Sequence, residues 1–227
     1  WPQKEPVREA IEKGISPRKL AKGQTGRFSP FLIIWASRLK KLTFEKPERC
    51  SWTGDGNAPV GVHRTSWDDD AIFAGIKAGT PSSNHGHMDV GSFVMDAGGV
   101  RWAIDPGGHS YHKLEKQGLH IWDKDQDADR WRIKRYTNHF HNTLTVNNKL
   151  QIVEGFATIE NHTTSSTKID MTDVYKGQLD KAVRTLSIVD KEYVKIRDSI
   201  QNTGQISTIR WSMVTHDNIK INKNNTA

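Results

Sequence analysis

The chain is predicted to be mainly β: an antiparallel β-sandwich preceded by a short α-helical segment. Three observations carry this. Short apolar runs with a period near two fill most of the chain after residue 59. Gly, Asn and Asp clusters such as Asp96-Ala97-Gly98-Gly99 separate them as tight turns. Helical periodicity is confined to the first 40 or so residues, so strands do not alternate with helices, and a parallel sheet is excluded.

Taken in order, residues 4–22 read as short helical pieces, with Val7, Ala10, Ile11, Ile15 and Leu20 near a 3.6 period and Gly14 and Pro17 interrupting it. Ser29-Pro30 is a helix start, Ser29 capping and Pro30 in the first helical position. The helix after it is apolar at its front and basic at its end, which suits the helix dipole. Such a helix needs partners, and little else here is helical. With the abrupt start at Trp1-Pro2, this suggests a piece of a longer protein. Residues 46–59 are rich in Gly, Asp and Asn and read as a loop that holds the domain boundary. The division expected is a helical segment at 1–52 and a sandwich domain at 53–227. Strands are expected at 60–67, 71–77, 91–96, 100–104, 142–146, 150–159, 168–174, 182–189, 193–199 and 207–214. Asn147-Asn148-Lys149, Asp190-Lys191-Glu192 and Asn202-Thr203-Gly204 are hairpin turns by composition. Residues 107–139 interrupt the strands with a long polar, aromatic loop. On a β scaffold such a loop carries function, or else is a mobile excursion.

Composition narrows the partners. The net charge is +7, with Lys and Arg spread along the chain, so the basic surface suits a polyanion: nucleic acid, anionic lipid or acidic polysaccharide. Single-strand-binding and helix-turn-helix motifs are not found, which argues against nucleic acid. No apolar run is long enough to span a membrane. One cysteine, Cys50, excludes an internal disulfide framework and a cysteine-based zinc finger. The ten histidines and eight tryptophans stand out.

The histidines concentrate chemistry. Asn84-His85-Gly86-His87-Met88-Asp89 puts two imidazoles and a carboxylate into six residues. In an extended segment His85, His87 and Asp89 would share a face, as a metal site, a catalytic group or a network of hydrogen-bonded histidines would each require. His87, Asp105 and His141 each stand where a strand begins or ends, and together they form a zinc-type ligand set with a fourth position open.

Four separated motifs, Arg64-Thr65-Ser66-Trp67, Asn84 to Phe93 (Asn-His-Gly-His-Met-Asp-Val-Gly-Ser-Phe), Trp102-Ala103-Ile104-Asp105-Pro106-Gly107 and His141-Asn142-Thr143-Leu144-Thr145-Val146, occur in this order. Over residues 58–215 the chain resembles the C-terminal β-sandwich domain of the heparinase II/III-like polysaccharide lyases. The resemblance implies an α/α toroid before the sandwich, and β-elimination on acidic polysaccharides such as heparin, heparan sulfate, related glycosaminoglycans or alginate. It makes His87, Asp105 and His141 ligands of one zinc ion with a structural role. His85 would be catalytic, with Tyr111 and Tyr136 as candidate sandwich tyrosines, and Asn84 and Arg64 would bind substrate. The location implied is periplasmic or secreted. The family's catalytic toroid tyrosine lies outside this chain, so the chain alone is expected not to be a competent lyase. The sequence departs from the family at Pro106, where Leu is more usual. The rival reading is a non-catalytic carbohydrate-binding sandwich with a structural metal. Those two differ in whether His85 and a tyrosine come together or only aromatics are displayed.

Overall fold

A computed structural model describes residues 46–216 together with Phe31 and Ile34. The helices expected at 4–22 and after Ser29 lie outside the described residues. The chain divides into two compact units, Trp1–Pro47 and Glu48–Ala227, and all the described strands belong to the second.

The first sheet is a meander of five antiparallel strands in sequence order: β1 (Ser51–Gly54), β2 (Val60–Arg64), β3 (Phe73–Lys77), β4 (Phe93–Ala97) and β5 (Val100–Ala103). The second has the order β10-β9-β8-β7, from β7 (Thr158–His162), β8 (Ser166–Asp170), β9 (Lys181–Val189) and β10 (Tyr193–Gln201). A two-stranded ribbon pairs β6 (Leu144–Val146) with β11 (Ile209–Trp211). Ala74, Ile76 and Phe93 from the first sheet, Leu144 from the ribbon, and Ile169, Ala182, Leu186 and Ile188 from the second share one buried core. The period-two pattern explains this, since alternate residues of each strand face inward. The antiparallel β architecture expected from the sequence is therefore present.

The turns obey their residues. Gly98 and Gly99, both at positive φ, close the β4–β5 hairpin, and Asp190 and Lys191 do the same between β9 and β10. Asn147 and Asn148 also take positive φ, but β6 pairs with β11, so their turn does not join neighbouring strands. The turn at Asn202 likewise leads out of the second sheet to β11 instead of closing a hairpin.

Other expectations need correction. The loop expected at 46–59 contains β1, whose Ser51 and Trp52 pair with His63 and Val62; its Gly and Asp residues form the turn after that strand. The boundary at 52/53 therefore falls inside a strand of the first sheet. Residues 150–157 form no strand, because their backbone groups are satisfied by loops: the Gln126 amide donates to Gln151 O and Ile152 N donates to Val174 O. Residues 172–175 turn as a 3-10 helix instead of extending β8.

Two polar devices fasten the unit. Arg184 on β9 is fully buried, grips Asp198 through Nε and Nη2 (2.7 and 2.9 Å), and donates from Nη1 to Gly91 O and Asn142 O. Between the sheets, Ser51 and Thr167 hydroxyls bridge the stacked rings of His63 and His162. His63 is fully buried and its pKa falls to about 4, because burial disfavours the imidazolium and His162 adds repulsion, partly opposed by the Thr164 backbone.

The long loop 107–139 is an ordered layer. It holds α1 (Tyr111–Glu115) and a succession of 3-10 turns, and Leu114, Ile121, Trp131 and Tyr136 close a second small core with Met88 and Val153.

Candidate metal centre and its aromatic neighbours

Three strand ends converge on the cluster: the 84–92 segment entering β4, the residues after β5, and those entering β6. Asn142 holds them together. Its Nδ2 donates to Phe93 O and Ile104 O, and its Oδ1 accepts from Val214 N. Those bonds place His141 beside Asp105. Arg135 reinforces the second segment by donating to Pro106 O and Gly108 O, both at 3.1 Å.

The 84–92 segment is not extended. His85 adopts φ 58°, and a Cβ at Gly86 would lie 2.4 Å from Pro81 O, so only glycine fits that buried position. Buried Arg130 donates twice to Gly86 O (2.7 and 3.2 Å) and once to Ile121 O. The shared face expected for His85, His87 and Asp89 is therefore split. The turn sends His85 one way and His87 with Asp89 another.

His87, Asp89 and His141 offer one ligand atom each, all within 4.8 Å of one another. His141 is fully buried; its Nδ1 meets Asp105 Oδ2 at 2.9 Å, and its Nε2 has no partner. A carboxylate on one imidazole nitrogen fixes the proton there and frees the other lone pair for a ligand. Burial lowers the His87 pKa to about 4, with Asp89 and Asp105 pulling up and His141 and Arg130 pushing down, so the ring is neutral at pH 7. Burial pushes the Asp105 carboxyl up, but His141 and the Gly107 amide outweigh it, and the net shift is down. Two imidazoles, one of them with an orphaned buried nitrogen, and nearby carboxylates are a fitting donor set for a divalent metal ion. The sequence expected Asp105 as the carboxylate ligand. Here it bonds His141, while Asp89 stands with the histidines and also pairs with Lys77.

The aromatic residues extend from this cluster. Tyr136 stacks on His87 at 4.4 Å, and the Arg130 guanidinium lies 4.6 Å from the Tyr136 ring centre. Tyr136 is completely buried, and burial raises its pKa; the His109 backbone lies near its hydroxyl without meeting hydrogen-bond geometry. Tyr111 meets it edge to face at 6.5 Å. The Tyr111 hydroxyl is 2.9 Å from His85 Nδ1, the two rings stack, and exposed Trp122 packs edge-on to both. Asn84 is exposed beside His85. Arg64 is placed otherwise: buried at the end of β2, it lies over Trp67 at 4.3 Å and donates to Ser66 O. None of its described contacts is with the cluster.

The sequence reading set Asp89 on a face with the histidines without counting it as a ligand, and it gave Arg130 and Trp122 no role beyond membership of the long loop. Asp89 was visible in the motif itself. The other two sit in a loop whose path has no periodic signal.

The sequence model described as Heparinase II/III-like, C-terminal, matches residues 60–227. The chain belongs to this family. Solved structures with the same fold include heparan sulfate lyase HepC from Pedobacter heparinus (TM-score 0.53, 17% identity, 86% of this chain and 26% of that one). A heparinase III gene product superposes with TM-score 0.54 at 19% identity, over 92% of this chain and 30% of its own. A third, titled heparinase III, gives TM-score 0.51 at 13% identity, over 70% and 24%. This chain thus spans about a quarter to three tenths of the solved chains it resembles. Comparison with curated protein sequences returns no match. Among the described residues, no helix is long and apolar enough to cross a membrane.

Proposed function

We propose that this heparinase II/III-like domain supplies part of the active site of a polysaccharide lyase, acting on a uronic-acid-containing chain such as heparan sulfate in a periplasmic or extracellular setting. The observation that carries the reading is the His85–Tyr111 pair: two proton-carrying groups in contact at 2.9 Å, at the exposed end of an aromatic row that leads to the histidine cluster. A module that only bound sugar would need aromatic faces and no such pair.

In β-elimination, a base takes the proton alpha to the sugar carboxylate. The electron pair of that C–H bond becomes the new C=C bond, the adjacent C–O bond breaks, and its pair goes to the glycosidic oxygen, which takes up a proton. Tyr111 donating to His85 Nδ1 leaves His85 Nε2–H as a donor for the sugar carboxylate, which makes the alpha proton more acidic. Transfer of the Tyr111 proton to His85 would leave a phenolate as base beside an imidazolium. Asn84 is the neighbouring neutral donor. Buried Tyr136 holds the His87 ring and is not the acid–base group.

The metal proposed is zinc, held by the imidazoles of His87 and His141 with a carboxylate from Asp89 or Asp105. When bound, it supplies electrostatic cross-linking of segments before β4, after β5 and before β6. The residues themselves orient the chemistry: Asp105 sets the His141 tautomer and Arg130 fixes the backbone between His85 and His87.

The test uses the full-length protein. His85→Ala and Tyr111→Phe should each lower kcat/KM for unsaturated-product formation by roughly a hundredfold, the scale of general acid–base contributions. Melting temperature and metal content should stay near wild type. Unchanged turnover in both variants would refute the assignment.

A further inference from the structure

The sandwich carries a cleft of about 470 Å³ between the 3-10 turns of residues 131–140 and strand β11. Trp131, Lys134, Thr137, His139, Phe140 and Arg210 line it, and no carboxylate does. None of these residues belongs to the His85–Tyr111–Trp122 group or to the histidine cluster. We propose that this cleft is a separate, non-catalytic subsite that holds the anionic groups of an acidic polysaccharide.

The side chains carry the inference. Arg210 on β11 reaches back across β6. Its Nη2 donates to His139 Nδ1 at 2.9 Å and to Thr145 Oγ1 at 3.5 Å. Neither acceptor is a carboxylate, and no ion pair with Arg210 or Lys134 occurs among the described residues. Arg210 and Lys134 both line this cleft, so the two cations border one space. Unneutralised cations facing each other across a cleft repel, and a fixed anion between them relieves that repulsion. A guanidinium matches the fork of a carboxylate or sulfate oxygen pair, and an ammonium adds a point charge. Phe140, with 45% of its surface exposed, offers an apolar face for a pyranose ring. The volume lies within the roughly 300–1,000 Å³ of small-molecule sites, room for a short stretch of sugar and not a long one.

Such a subsite would hold the polymer by a second point while another stretch lies at His85 and Tyr111. Two linked contacts raise apparent affinity without new chemistry. The proposal rests on the polysaccharide reading only for the choice of polymer.

The experiment measures binding of size-defined heparin and alginate oligosaccharides to the 227-residue chain by titration calorimetry at two salt concentrations. Arg210→Gln with Lys134→Gln should weaken binding at least tenfold. Lys181→Gln with Lys195→Gln, which removes the same charge from exposed positions on β9 and β10, should weaken it less than twofold. Circular dichroism confirms that each variant is folded, and Arg210→Lys should recover part of the affinity. Equal losses in the two double variants would overturn the subsite, as would no binding by the wild-type chain. Single-stranded DNA bound equally well, with the same dependence on Arg210 and Lys134, would overturn the polysaccharide assignment. A failed lyase reading would show separately, as absent product in the full-length assay with cleft binding intact.

Discussion

Acidification should loosen the clasp between the two sheets, and His63 sets the size of the effect. Its ring is fully buried, with Nδ1 3.0 Å from Ser51 Oγ and Nε2 2.7 Å from Thr167 Oγ1, and the His162 ring centre is 4.8 Å away. Its pKa drops from 6.5 to about 4, with burial the main cause and the His162 charge adding to it. Above pH 6.5 the ring is neutral in folded and unfolded chains alike, and nothing is lost. Below that, the unfolded chain binds a proton that the folded one refuses, so stability falls until the pH reaches about 4. A displacement of this size at about 1.4 kcal/mol per pKa unit amounts to about 3 kcal/mol from this one group. The perturbation is His63→Gln, which keeps hydrogen-bonding atoms and cannot titrate. The assay is urea unfolding of both proteins at intervals from pH 7 to pH 4, taken as a difference so that the histidines away from the His63–His162 pair cancel. The variant should be the less stable at pH 7, and the gap should close by about 3 kcal/mol on the way to pH 4, a relative midpoint shift of roughly 1–3 M urea. Parallel stability curves, or an NMR titration of His63 near 6.5, would refute the reasoning.

Zinc added to the metal-free chain should raise its melting temperature, since roughly a hundredfold excess over the dissociation constant stabilises by about 2.7 kcal/mol, and His141→Ala should abolish the rise. Asp105→Asn should weaken zinc binding by at least about tenfold, either as a lost ligand or through the His141 tautomer it fixes; unchanged affinity would remove Asp105 from the site. Arg130→Gln should cost about 2–4 kcal/mol by stranding Gly86 O in the interior, and a variant as stable as wild type would show that the 84–87 turn needs no such anchor. The 227-residue chain on its own should produce no unsaturated uronate from heparan sulfate, heparin or alginate, as absorbance would report; turnover by this chain would mean that His85 and Tyr111 suffice.

The sequence by itself determined the architecture class and pointed to the two histidines, His87 and His141, that the fold brings together. Period-two strands and turn residues such as Gly98-Gly99 and Asp190-Lys191 act through local sterics, and local sterics are written in the sequence. Placement near strand ends drew attention to His87, Asp105 and His141, and the family resemblance, carried by short motifs, added His85. What tertiary structure decided is where the side chains point. The left-handed turn at His85 undid the shared face expected of an extended His-x-His-x-Asp segment, brought Asp89 rather than His85 to His87, and paired His85 with Tyr111. Burial separated Tyr136 from Tyr111, which composition treats as equals. Arg64, promising in its motif, is absorbed by Trp67, whereas Arg130 and Arg210 gained roles from loops and strands far away in the chain. Those outcomes depend on which backbone oxygens and rings meet across long sequence separations, and no local pattern encodes such meetings.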